Sequence, residues 1–182
     1  MPTIMSHIAV PLAVTLGLGR SRIPTRLMVA GVVAAMLPDA DVLGFRLGIP
    51  YGDALGHRGA SHSLFTAAII GLAAVAFSRL IESPPTRIFW FVFLAATSHG
   101  LLDTLTNGGH GVALFWPWSA ERFFAPVHPI EVSPIGLSRF LSKQGQMVLA
   151  SEPLWIWLPC CMMALALRWM VGKGPDRSGA AD

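Results

Sequence analysis

The sequence predicts an all-α protein, a polytopic bundle of about five apolar helices embedded in a membrane. Of its 182 residues, 53% are hydrophobic and only 13% are charged, about half the charged share of an ordinary soluble domain. The mean hydropathy is +0.59, and several apolar stretches approach the roughly 20 residues that a helix needs to cross a bilayer. This composition excludes a disordered chain, a coiled coil and a disulfide-stapled miniprotein.

Two short apolar stretches come first, at residues 6–19 and 23–37. Each is marginal as a membrane span, so we expect the two to form a helical hairpin that turns at the Arg- and Pro-containing segment between them. The alternative is a pair of buried or interfacial helices. Three longer stretches follow, at residues 63–81, 87–106 and 153–171, and each is long enough for a membrane helix.

Residues 107–150 separate the fourth and fifth predicted helices, and we expect them to form an irregular extramembrane segment. Its many Gly and Pro residues disfavour long helices, and the aromatic residues at 115–118 suit an interfacial anchor or a hydrophobic plug. We expect the segment to lie over one end of the bundle as a lid or a lipid-facing wall. Residues 1–172 are thus predicted to be one membrane-embedded domain, and residues 173–182 a flexible C-terminal tail.

Basic residues are divided unevenly between the two sides that five spans would create. One side receives eight of them in short loops and a short tail: Arg20, Arg22, Arg26, Arg79, Arg87, Arg168, Lys173 and Arg177. The other side receives five, spread over two much longer loops: Arg46, Arg58, Arg122, Arg139 and Lys143. The positive-inside rule therefore predicts that the first side is cytoplasmic, with the N-terminus outside and the C-terminus inside.

Seven ionisable residues fall at the opposite end of the predicted bundle from the basic loops. Each lies near the start of an odd-numbered helix or the end of an even-numbered one, positions that share one side of the membrane. They are His7, Asp39, Asp41, His57, His62, His99 and Asp103. His99 and Asp103 are four residues apart and so share one helical face. An Asp within an apolar helix costs about 2.5–3.5 kcal/mol on insertion scales, so it must face a partner or a polar cavity.

This mixture of imidazoles and carboxylates suits Zn²⁺, Mn²⁺ or Fe²⁺ rather than a Cys-rich structural site, and zinc is the expected cofactor. Seven candidate ligands exceed the four of one tetrahedral zinc, so two ions, or one ion with an outer layer of hydrogen-bonded groups, would use them. Plainer interpretations exist, such as a helix cap for Asp39 or an ion pair of Asp103 with Arg58 or Arg122. Because no basic run carries interleaved aromatics, no nucleic-acid partner is predicted.

The segments that carry these residues occur in an order that resembles the bacterial YdjM-type inner-membrane proteins. They are 37–41 (LPDAD), 57–63 (HRGASHS), 98–103 (SHGLLD) and 115–118 (FWPW), and His7 also matches the pattern. These proteins are described as membrane-bound, metal-dependent hydrolases. The resemblance, over about residues 5–125, therefore implies an inner-membrane enzyme whose site opens at the outer face within reach of lipid head groups. The ligand types are also distantly similar to the all-helical zinc phospholipase C and P1 nuclease group, which cleaves phosphoesters.

The leading functional hypothesis is a metal-dependent hydrolase of phosphoesters, with membrane lipids around it and a lipid-linked phosphoester as the expected substrate. A bound divalent ion would lower the pKa of its water to about 7, and Asp41 or Asp103 would accept the proton. Arg58 would hold a phosphate oxygen, or would instead pair with Asp39 or Asp41. The alternatives are a non-catalytic metal-binding membrane protein, such as a sensor or assembly factor, and a polar network that only holds the bundle together.

Overall fold

A computed structural model of the chain describes residues 1–134 and 140–172, and regular structure within these ranges is helical. Strands are absent from these ranges, where only two isolated β-bridges occur, Thr106–Ile130 and Val112–Phe123. The helices are α1 (Ile4–His7), α2 (Ala9–Leu18), α3 (Thr25–Met36), α4 (Leu64–Ala76), α5 (Ser78–Ile81), α6 (Pro85–Thr104), α7 (Lys143–Glu152) and α8 (Leu158–Gly172). The all-α prediction is confirmed for the described part of the chain.

Two helices in the described ranges are long and apolar enough to cross a membrane, so the predicted number of five is wrong. One is Thr25–Leu47, which consists of α3 and a 3₁₀-helix that continues it, and the other is Lys143–Gly172. The first and third predicted spans form shorter apolar helices, Ile4–Leu18 and Leu64–Ala76. The fourth forms the 20-residue α6, but the polar residues in its second half lower its mean hydropathy.

The last helix begins ten residues earlier than the sequence predicts. Residues 153–171 were expected to form the fifth span, yet α7 already starts at Lys143 and continues into α8 through a π-helical turn at Pro153–Trp157. A proline in a regular α-helix clashes with the carbonyl four residues before it, and the wider π turn accommodates Pro153. The end of the predicted irregular segment is therefore helical. The predicted tail, 173–182, lies outside the described residues.

Helix α6 is the centre of the bundle, since both α3 and α4 pack against it. The core between these helices contains Leu27, Ile88, Val92 and Ala96. A second core joins α2 to α8, where Gly17 is required because a Cβ there would lie 2.6 Å from the Cβ of Leu167. This packing brings α1, the end of α3, the start of α4 and the end of α6 to the same end of the molecule.

Candidate metal centre

All seven predicted site residues lie at this one end of the bundle. α1 supplies His7, the 3₁₀-helix Leu37–Leu47 supplies Asp39 and Asp41, and the end of α6 supplies His99 and Asp103. The turn before α4 supplies the remaining two, His57 and His62. No side chain of the seven is more than 6% exposed. The juxtaposition expected from the sequence is therefore present, and it is almost sealed from solvent.

Four of these residues form what we call the inner group: Asp39, His62, His99 and Asp103. One ligand atom from each lies within 4.8 Å of all the others. His62 Nε2 is 2.9 Å from His99 Nε2 and 3.4 Å from Asp103 Oδ2, and His99 Nε2 is 3.3 Å from Asp39 Oδ1. Two ligands of one tetrahedral zinc, each at about 2.0–2.1 Å, lie about 3.3 Å apart. The inner group can therefore hold a metal ion.

The carboxylates of the inner group lack hydrogen-bond partners among the described residues. Both oxygens of Asp39 and both of Asp103 are buried in this condition, as are both ring nitrogens of His7. Arg58 Nε lies 3.1 Å from Asp103 Oδ2, but Asp103 Oδ1 has only His7 Nε2 at 3.5 Å and the amino group of Met1 at 3.9 Å. A buried polar atom that is poorly paired is costly. A cation among the Asp39 oxygens and Asp103 Oδ1 would reduce that cost, so the residues present fit a metal ion.

In both imidazoles of the inner group, the Nδ1 atom contacts a neighbouring protein group. His99 Nδ1 lies 2.7 Å from the carbonyl oxygen of Ala35, to which it can only donate, so Nε2 of the neutral ring carries a lone pair. His62 Nδ1 lies 2.9 Å from Ser61 Oγ and 3.2 Å from Asp41 Oδ2. Such partners fix the orientation of metal-binding histidines. Both rings therefore present Nε2 to the centre of the group.

Asp41 links the inner group to His57. Its Oδ1 lies 2.6 Å from His57 Nδ1, and its Oδ2 accepts hydrogen bonds from Ser61 Oγ at 2.5 Å and from the Arg58 backbone N–H at 3.2 Å. Asp41, His57 and His62 form a second set of ligand atoms close enough to hold an ion. Asp41 is thus placed either to share a second ion or to orient both histidines.

Arg58 is completely buried and pairs with Asp103, rather than with Asp39 or Asp41. Its Nε lies 3.1 Å from Asp103 Oδ2, while Nη1 donates to the Gly108 carbonyl at 2.8 Å and Nη2 donates to Thr106 Oγ1 at 2.9 Å. Burial lowers the pKa of Arg58, and the charge of Asp103 opposes that shift. Because all three nitrogens already face protein groups, Arg58 is better placed to fix Asp103 than to hold a phosphate.

The electrostatics of the site favour a positive charge at its centre. Burial by itself would lower the pKa of His62, but the neighbouring carboxylates of Asp103, Asp39 and Asp41 raise it well above its ordinary value. Three carboxylates thus surround one imidazole, and Arg58 is the cation paired with one of them. The excess negative charge attracts a cation, whether a proton or a metal ion.

His7 lies beside the inner group. Its ring stacks on that of His99, with centroids 3.6 Å apart and planes inclined by 16°. It is therefore an additional candidate ligand near Asp103. Sequence reasoning missed Ser61, which contacts Asp41 and His62, and Thr106, which accepts from Arg58 Nη2. The cap of α4 is Ser63, whose Oγ accepts from the Thr66 N–H.

The segment after α6 packs over the turn that carries His57 and His62. The Ala113 N–H donates to the Arg58 carbonyl, and the Leu64 N–H donates to the Leu114 carbonyl, each at 3.0 Å. Gly100 allows α6 to approach the same turn, because a Cβ there would lie 2.7 Å from the His62 carbonyl oxygen. His110 and His128, on the same segment, are exposed and lie outside both ligand sets.

Comparison with known proteins agrees with the resemblance predicted from the four segments. The chain is 47% identical over 170 residues to the inner membrane protein YbcI of Escherichia coli (strain K12), an alignment that covers 93% of this chain and 98% of that protein. No solved structure matches the chain. A family model described as YdjM inner membrane protein matches residues 1–174. The chain therefore belongs to the YdjM inner membrane protein family.

Proposed function

We propose that this inner membrane protein is a metal-dependent hydrolase that cleaves phosphoesters. The observation that carries the proposal is the inner group, in which two imidazole nitrogens and two carboxylates converge in a buried site. Arg58 pairs with Asp103 Oδ2, but Asp103 Oδ1 and both Asp39 oxygens have no hydrogen-bond partner among the described residues. A protein that needed only a polar network for stability would be expected to satisfy these atoms internally.

The residues divide into those that would hold the ion and those that would orient them. Asp39, His62 and His99 would hold one divalent ion, and such a set of two imidazoles and a carboxylate suits zinc and leaves its fourth position open for water. A second ion would use the set of Asp41 and His57 with His62. When bound, the metal supplies a water whose pKa is lowered to about 7 and a Lewis acid for the phosphoryl oxygen.

Asp103 is the better placed of the two candidate proton acceptors. Its Oδ1 is buried without a hydrogen-bond partner among the described residues, and the Arg58 guanidinium holds its Oδ2 in position. Asp41, in contrast, already accepts hydrogen bonds from Ser61 and from the Arg58 backbone. We therefore assign proton acceptance to Asp103 and the orientation of His57 and His62 to Asp41.

We further propose that the site faces the outer side of the inner membrane. The span Thr25–Leu47 has Arg20, Arg22 and Arg26 at or just before its start, and it carries Asp39 and Asp41 in its second half. The positive-inside rule places the arginine end in the cytoplasm. This assignment depends on the span Thr25–Leu47 alone and does not require five crossings.

Hydrolysis of two soluble esters tests the activity. The purified protein, loaded with zinc, is incubated with p-nitrophenyl phosphate and with bis-p-nitrophenyl phosphate, which represent phosphomonoesters and phosphodiesters. We expect turnover of at least one ester, a loss of about 100-fold or more in Asp103→Asn, and no loss in the exposed control Asp53→Asn. Bound zinc without turnover of either ester would contradict the hydrolase and favour the non-catalytic sensor or assembly factor.

A further inference from the structure

An apolar groove of about 510 Å³ runs between α3 and the pair α4 and α5. It exists because α3 and α4 each pack against α6, which forms the floor of the groove between them. Its lining is apolar except at the far end, where Thr25 and Arg26 lie. The apolar lining includes Val29, Val33, Leu37, Ile70, Phe77 and Val92.

The near end of the groove and the metal centre share the last turn of α3. Ala34 and Leu37 line the groove, whereas the carbonyl of Ala35, between them in sequence, accepts from His99 Nδ1. Asp39 of the inner group follows Leu37 by two residues. A molecule lying in the groove would therefore have one end beside the candidate metal centre.

The segment after α6 covers the turn before α4, whereas the groove along α3 is open. Val112 and Ala113 of that segment are 0% and 3% exposed where they cover the turn before α4. On the groove side, Val33 and Leu37 are 55% and 46% exposed, and in an inner membrane protein an apolar helix face of this kind meets lipid. The groove thus offers a lateral approach from the bilayer.

The dimensions and charges of the groove favour an acyl chain with its polar end at the metal centre. From Arg26 to Leu37, α3 rises about 16 Å, which is long enough to hold much of an acyl chain. At the far end, Arg26 is already paired with Glu82, and Thr25 Oγ1 accepts from Arg20. The polar groups at the far end are therefore already paired within the protein. The inner group, which can bind a cation, lies at the near end.

We infer that the groove binds the acyl chain of a phospholipid substrate whose phosphate lies at the inner group. This inference rests on the proposed function and specifies its substrate class as a membrane lipid phosphoester. The lipid enters sideways from the bilayer. Its chain lies along α3 towards Arg26.

Photolabelling tests this inference without requiring turnover. The zinc-loaded protein is placed in phosphatidylcholine nanodiscs that contain phosphatidic acid with a diazirine in its acyl chain, and labelled residues are mapped by mass spectrometry. A diacylglycerol with the same chain serves as the phosphate-free probe. We expect labels to concentrate on the groove residues of α3 and α4, and to be several-fold stronger with phosphatidic acid. Labels spread evenly over α8 and the groove, or equal labelling by the two probes, would overturn the inference.

Two variants that fill the groove, with one matched control, complete the experiment. Ala74 lines the groove, while its neighbour Ala73 is exposed and does not. Ala74→Phe should lose the groove labelling several-fold and Ala73→Phe should retain it. Val33→Trp, at an exposed position of the groove wall, repeats the test with less effect on the core. Unchanged labelling in both groove variants contradicts the inference.

Zinc content and p-nitrophenyl phosphate hydrolysis, measured on the same samples, separate the inference from the proposed function. Normal turnover of the soluble ester without phosphate-dependent labelling overturns the lipid inference alone. Phosphate-dependent labelling without any turnover supports the lipid site and overturns the hydrolase.

Discussion

His62 Nε2 and His99 Nε2 face each other at a distance of 2.9 Å in the interior of the bundle. His99 presents a lone pair there, because its Nδ1–H is used by the Ala35 carbonyl. Behind His62, Asp41 lies 3.2 Å from Nδ1. Two such nitrogens at this distance need either a hydrogen bond donated by His62 Nε2–H or a metal ion between them. The carboxylates of Asp39 and Asp103 beside them favour the metal ion.

Replacing Arg58 with Ala should strongly destabilise the fold. The substitution leaves the buried Asp103 carboxylate without its cation, and breaking a buried pair in this way costs about 3–5 kcal/mol. Thermal unfolding of the detergent-purified protein measures the effect, expected to be a decrease of roughly 10 °C in Tm. Arg46→Ala, at an exposed position, is the control, and equal Tm values for the two variants would contradict the structural role of Arg58.

Asp41→Asn should weaken metal binding while the fold is retained. The amide keeps the size of the side chain but loses the charge that faces His57 and His62. Loss of such an orienting carboxylate typically costs 10–100-fold in metal affinity. Zinc titration against a competing chelator measures the affinity. Asp53→Asn, at an exposed position, should bind as the wild type does, and wild-type affinity in Asp41→Asn would show that Asp41 does not orient the ligands.

Gly100→Ala should disturb the site through the backbone. The new methyl group would lie 2.7 Å from the carbonyl oxygen of His62, so α6 or the turn before α4 has to move. Overpacking of this kind costs about 1–3 kcal/mol, and the displacement of His62 should also lower zinc affinity. Gly172→Ala has open space around its Cβ and serves as the control. An unchanged Tm and unchanged zinc binding in Gly100→Ala would disprove the close approach.

Glu152→Ala should loosen the N-terminal segment that precedes His7. Glu152 is buried within the Lys143–Gly172 span and accepts hydrogen bonds from the backbone N–H and the hydroxyl of Thr3. Hydrogen bonds to a charged group contribute about 1.5–3 kcal/mol. We expect a lower Tm and faster hydrogen exchange at the N-terminus. The exposed Glu121→Ala variant should show neither change; protection equal to the wild type in Glu152→Ala would rule out this anchoring role.

The convergence of the seven polar residues at one end of the bundle was predictable. It depends on the order and direction of the helices rather than on their lengths. Helices that alternate in direction bring His62, at the start of one, next to His99 and Asp103, near the end of another. That relation holds although Leu64–Ala76 is shorter than the predicted span. The four-residue spacing of His99 and Asp103 then places both on the face of α6 that meets the turn.

The number of spans and the partner of Arg58 were not predictable, for different physical reasons. Hydropathy does not show that the helix starting at Leu64 ends at Ala76, or that a π turn accommodates Pro153 within a longer helix. The direction of the Arg58 side chain depends on the backbone of its turn, where Arg58 has a positive φ of 63°. The sequence therefore left Asp39, Asp41 and Asp103 as competing partners.

Metal content tests the central claim most directly. Elemental analysis compares the detergent-purified wild type with His62→Ala and with His128→Ala, which removes an exposed histidine outside both ligand sets. We predict one or two divalent ions per chain in the wild type and in His128→Ala, and a loss of bound metal in His62→Ala while the protein remains folded. A wild type that binds no metal after loading with zinc, or a His62→Ala protein with wild-type metal content, would contradict the account.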